Sequence, residues 1–127
     1  RIEIQLDELQ ILQKLLKKFQ LEDATLIQEI KTKIIVSATF QISNLNARRK
    51  EKIKLLRSII DNKAFYDIFS GNRNQIIGSY KTLLRQRNIS SFLRRLSIDL
   101  LTKKKFRTVI FIEKMKMNPI LRKIAFK

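Results

Sequence analysis

Between Leu83 and Arg107 the chain sets eight basic residues and one acid, Asp99, among leucines, isoleucines and two phenylalanines. The chemistry this composition offers is neutralisation of phosphate. Dispersed Lys and Arg displace condensed counterions from a nucleic-acid backbone and so bind it in a salt-sensitive way. Gln41, Asn72, Asn74, Gln75, Gln86 and Asn88 stand among the cations, as donors for sugar hydroxyls and phosphates. Catalytic chemistry is poorly represented. There is no His and no Cys, so the commonest general base, the commonest zinc ligand and all thiolate chemistry are missing. No Gly-rich phosphate loop occurs. Asp61 and Asp67 read as turn residues, Ser90 and Ser91 as helix caps without an activating base, and Met115 and Met117 as packing residues. The expectation is a binding protein, not an enzyme, with no cofactor and no metal.

Charge placement sharpens this. The first 40 residues carry six bases and six acids; the other 87 carry 22 bases and five acids, so the whole net charge of +17 lies after Phe40. That is the footprint of a neutral packing segment followed by a polyanion-binding segment. A membrane surface fits less well, because the basic faces lie opposite apolar faces that one domain needs for its core. No run approaches the roughly 18 apolar residues of a membrane span. A start at Arg1 in place of Met reads as a processed or incomplete beginning.

The elements that must position the cations are helical. With two glycines and one proline in 127 residues, turns are few and helices long. Leu6, Leu9, Leu12, Leu15, Leu16 and Phe19 recur at helical spacing, with Lys14, Lys17 and Lys18 in the last turns. Asp23, or Thr25 with Gln28, restarts a helix. The β-branched "KIIVSATF" has strand composition, but its flanks favour helix. "QISNLNARRKEKIKLLRSII" reads as one helix with Ile42, Leu45, Ile53, Leu56 and Ile60 inward. "DNKAFYDIFSGN" reads as a connector with Phe65, Tyr66 and Phe69 tucked onto the core. The apolar faces of Ile76–Leu84 (Ile76, Ile77, Tyr80, Leu83, Leu84) and Ile89–Leu100 (Ile89, Phe92, Leu93, Leu96, Leu100) would point roughly 180° apart on one straight helix. A break near Arg87–Asn88 is therefore expected, with Asn88 or Ser90 capping the second piece. "TVIFIEKMKM" reads as strand or extended tail.

Two segments resemble the universal family of small-subunit ribosomal protein fifteen, helical proteins that bind rRNA at a helical junction. "TFQISNLN" (Thr39–Asn46) resembles the opening of one family helix, and "RQRNISSFLRR" (Arg85–Arg95) resembles a later one, with Gln86 and Ser90 off the pattern. "DNKAFYDIFSGNRN" stands where the family has its rRNA-binding loop, although the loop histidines are absent and the segment is about ten residues longer. The resemblance is colinear over residues 39–95. It implies a divergent mitochondrial member in which Gln41, Lys63, Ser70 and Arg73 are loop-side rRNA contacts and Arg85, Arg87, Arg94 and Arg95 lie along the backbone. A second segment, "QIIGSYKTLLR", is similar to the start of the Leu-Tyr-Arg mitochondrial assembly factors. Phe106–Arg107 falls near their Phe-Arg pair, but Ser79-Tyr80-Lys81 replaces the signature. That likeness would direct Lys81, Arg85 and Arg107 to an acidic acyl carrier protein.

The sequence thus predicts an all-α helical bundle with a neutral packing arm (1–40), a basic RNA-binding body (41–107) and a basic C-terminal tail, strand or extended (108–127). The expected RNA contacts are Gln41, Arg48, Arg49, Lys50, Lys52, Lys63, Ser70, Arg73, Lys81, Arg85, Arg87, Arg94, Arg95, Lys103, Lys104, Lys105 and Arg107. The arm would meet neighbouring ribosomal proteins or the domain core.

Overall fold

The computed structural model describes residues 2–18, 24–71, 73–120 and 123, and among them every regular element is helical. In order these are α1 (Ile2–Lys18), α2 (Ala24–Ser43), α3 (Arg49–Ile60), a 3₁₀ turn (Lys63–Phe65), α4 (Tyr66–Ser70), α5 (Arg73–Ile76), α6 (Tyr80–Arg85), α7 (Ile89–Thr102) and α8 (Phe106–Met115). Helix α2 is the spine, packing against α1, α3, α4, α5, α7 and α8. It contains the β-branched stretch, where burial of Ile34 and Ile35 overrides strand propensity. Its interior threonines stay satisfied by bonding back one turn: Thr32 Oγ1 donates to the Gln28 carbonyl at 2.8 Å and Thr39 Oγ1 to the Ile35 carbonyl at 2.7 Å. Leu9, Ile27 and Ile35 share one apolar cluster with Leu56, Phe65, Ile68, Ile98 and Val109. The neutral first third and the basic remainder therefore bury into the same core.

The break before Asn88 is present. Helix α6 closes with Asn88 N–H on the Leu83 carbonyl and Arg87 N–H on the Leu84 carbonyl, while Asn88 Oδ1 accepts Ser91 N–H at 3.2 Å to cap α7. Several other boundaries differ from the sequence reading. The run 41–60 is two helices, because the chain turns between Ser43 and Arg49 and leaves Leu45 exposed. The expected connector is largely helical; Phe65 and Phe69 are buried, but Tyr66 faces solvent. Gly71 ends α4 at a close approach where a Cβ would stand 2.3 Å from the Asp67 carbonyl oxygen. A further break at Gly78, with φ +117°, separates α5 from α6, which Ser79 caps. Leu84 is exposed.

The face of α7 is also rotated from expectation. Ser97, Ile98 and Leu101 are fully buried, whereas Ile89, Phe92, Leu93 and Leu96 are only half-buried. The reason is polar. Ser97 Oγ donates to Glu113 Oε1 at 2.5 Å, and Lys116 Nζ donates to the same oxygen at 2.9 Å. The first of these bonds ties α7 to α8. Residues 108–115 are thus neither strand nor extended tail. They belong to α8, which buries Phe106, Val109, Ile110 and Glu113, while Met115 and Met117 are exposed.

Asp99 fixes the other corner. It accepts from Arg73 Nε, from Tyr80 Oη and, at 3.4 Å, from Arg95 Nε. Arg95 also donates to Asn74 and to the Gly78 carbonyl, and its guanidinium lies 4.5 Å from the Tyr80 ring centre. One carboxylate thus joins α5, α6 and α7. Removing it would leave two poorly solvated guanidinium groups, so Asp99→Asn is expected to destabilise the fold by about 3 kcal/mol in urea unfolding. Burial, then the hydrogen bond to Asp99, pushes the Tyr80 hydroxyl from 10.0 up to about 12. Its contribution is therefore complete below the unfolded value and lost as pH rises through the folded one. The stability difference between wild type and Tyr80→Phe should shrink between about pH 10 and 12, measured by urea midpoints.

Candidate nucleic-acid interface

Helices α3 and α8 pack side by side and run antiparallel. The Arg57 guanidinium, near the end of α3, sits 5.1 Å from the ring centre of Phe106, the first residue of α8. At the opposite end Lys52 meets Lys114, near the end of α8. A cleft of about 500 Å³ opens along this seam, lined by Ala47, Arg49, Lys52, Arg107, Ile110, Phe111 and Lys114. Four of the seven are cations and none is an acid.

Lys52 is the most constrained of the four. It is 5% exposed, and its Nζ donates to the Ser43 carbonyl at 2.9 Å, closing the C-terminal end of α2. Burial holds its amine below the ordinary lysine value, and the neighbouring charges of Lys114 and Arg49 push the same way. Lys52 is accordingly not the solvent-facing phosphate contact expected from the sequence; it forms the wall of the cleft.

Both helices of the seam open on cations. Arg48 occupies the N-cap of α3 and Lys105 that of α8, neither making a side-chain capping bond. Arg49 and Lys50 follow in one, with the acid Glu51 after them in the same turn, and Arg107 in the other. Cations at a helix N-terminus oppose the macrodipole, and the uncapped N–H groups there favour anions. Two further cations occupy left-handed backbone positions that glycine normally fills: Arg87 at φ 55° and Lys104 at φ 59°. Each ends its helix in the same hydrogen-bonded turn, Lys104 with Lys105 N–H on the Leu100 carbonyl.

The other expected contacts separate into two groups. Arg48, Lys50, Lys63, Lys81, Arg85, Lys103 and Lys105 are exposed and carry no ion pair among the described residues. Arg73 and Arg95 are not available to a ligand, because Asp99 holds both. Ser70 Oγ donates to the Tyr66 carbonyl at 2.6 Å and Gln41 Nε2 to Ser37 Oγ at 3.2 Å. The loop-side set implied by the ribosomal resemblance is thus mostly engaged within the protein. Arg94 lines a separate cleft of about 340 Å³ with Lys33, Val36, Ser37, Phe40, Ser90 and Lys116. Sequence reasoning missed Lys114 and Phe111. Their signal was the spacing Arg107, Phe111, Lys114, one face of a helix once 106–115 is read as helical.

No family model, curated protein or solved structure matches this chain. Among the described residues no group of three or more carboxylates is gathered as for a metal ion, and no helix is long and apolar enough to cross a membrane.

A left-handed Lys costs about 1 kcal/mol relative to glycine. Lys104→Gly should therefore raise stability by about that amount in urea unfolding; a fall would mean that the lysine side chain contributes more to the fold than its backbone costs.

Proposed function

We propose that this chain binds structured RNA without turning it over, as a structural subunit of a ribonucleoprotein. The ribosomal resemblance makes that assembly the mitochondrial small ribosomal subunit, with rRNA as the ligand. The observation that carries the reading is the α3–α8 seam, where an acid-free cationic cleft runs between two uncapped, cation-bearing helix N-termini. Helix α3 has 12 residues, so the two ends lie roughly 18 Å apart at 1.5 Å per residue. A single small anion cannot relieve both ends; a continuous phosphate backbone can.

No element of the seam offers the short polar set that reads base edges, so shape and backbone charge supply the selectivity. Lys and Arg along the seam neutralise phosphates, and RNA helices held against them are fixed relative to each other.

Fluorescence anisotropy with a structured RNA across a salt series tests this. The expected result is a steep linear fall of log K with log salt, with Arg49→Ala and Arg107→Ala each reducing the slope by about one. Arg73→Ala should lower stability and leave the slope unchanged. Absence of salt-dependent RNA binding, with stoichiometric capture of an acidic acyl carrier protein instead, would overturn the reading.

A further inference from the structure

The cationic seam carries large apolar side chains that the core does not use. Phe111 is 64% exposed and lines the cleft beside Arg49, Arg107 and Lys114. Met115, one turn further along the same face of α8, is exposed at 42%. Leu45, in the turn that leads into the cleft through Ala47, is exposed as well. Met117 and Ile120 continue the exposed apolar character beyond α8. The sequence-based case against a membrane surface assumed that every apolar face was needed inside. On α8 that assumption fails: Phe106, Val109 and Ile110 face the core, and Phe111 and Met115 face out.

Phosphate and sugar gain nothing from Leu45, Met115, Met117 or Ile120, and only Phe111 presents a ring on which a base can stack. An anionic bilayer uses both components. Headgroup phosphates meet the cations, and the apolar side chains leave water for the headgroup–acyl boundary. We propose that the outer face of α8, with the α2–α3 turn beside it, is a docking surface for an anionic lipid bilayer. Arg49, Arg107 and Lys114 bind headgroup phosphates while Phe111 and Met115 insert between the lipids. The chain lies on the bilayer and does not span it. This goes beyond the RNA reading and shares with it the cations, not the apolar residues, so lipid and RNA compete for one end of the seam.

The test is sedimentation of the full chain with vesicles of phosphatidylcholine alone or with one third phosphatidylglycerol. Binding to the anionic vesicles only is expected, weakened about fivefold by Lys114→Ala. The double variant Phe111→Ser with Met115→Ser should weaken it at least tenfold, and Met115→Ser alone, outside the lining of the RNA cleft, should weaken it about threefold and leave the RNA salt slope unchanged. Both side chains are exposed, and a retained helical circular dichroism spectrum verifies the fold. The chain has no Trp, so Phe111→Trp supplies a single reporter whose emission should shift to the blue on anionic vesicles. No binding to anionic vesicles would overturn the proposal. So would binding that ignores the double variant, which would be adsorption by charge alone. Loss of RNA binding in the salt series leaves these outcomes untouched, so the two readings fail separately.

Discussion

Asp99 is the interaction on which the arrangement of the second half depends. It is one of five carboxylates after Phe40, and it gathers Arg73, Tyr80 and Arg95 from three helices. Without it, α5 and α6 have little to hold them. They have four and six residues, well below the length at which a helix is stable alone. The apolar support is modest: Leu83 is buried, Ile76 and Ile77 only partly. The carboxylate therefore does locally what a larger core would do elsewhere, and the stacking of Arg95 on Tyr80 closes the unit.

The same economy of acids shapes the surface. Asp67 pairs with Lys31, Asp99 with two arginines, and Glu113 with Lys116. Three of the five late carboxylates thus act within the fold. Few acids remain to balance the outward cations, and none lines the α3–α8 cleft. The positive surface is therefore a consequence of how the fold places its acids as well as of composition. Arg49, Lys52 and Lys114 crowd like charges along that cleft, and burial together with these neighbours holds the Lys52 amine below the ordinary lysine value.

The sequence made the all-α class and the break before Asn88 legible, because few turn residues and two opposed apolar faces are local signals. Arg49 and Arg107 were legible as outward cations for the same reason. The pairing of Arg73 and Arg95 with Asp99 was not. Arg73 and Asp99 stand 26 residues apart, and periodicity carries no information about such a contact. Helix α8 was missed because β-branched Val109, Ile110 and Ile112 look like strand, and because Glu113 marks as polar a face that is in fact buried. The true inner face of α7 was hidden by Ser97 in the same way. In both helices a buried polar residue, paired across the α7–α8 contact, erased the apolar stripe.

That pairing also explains why apolar side chains remain outside. Glu113 meets Ser97 of α7, which sets the rotation of α8 about its axis. With Glu113 inward, Phe106, Val109 and Ile110 follow it into the core at helical spacing, and Phe111 and Met115 are turned outward. Such buried polar pairs add little net stability; this one sets which face of α8 turns inward. That orientation sets Phe111 among the cations of α3 and α8. The cationic cleft and its exposed apolar edge therefore share one structural cause.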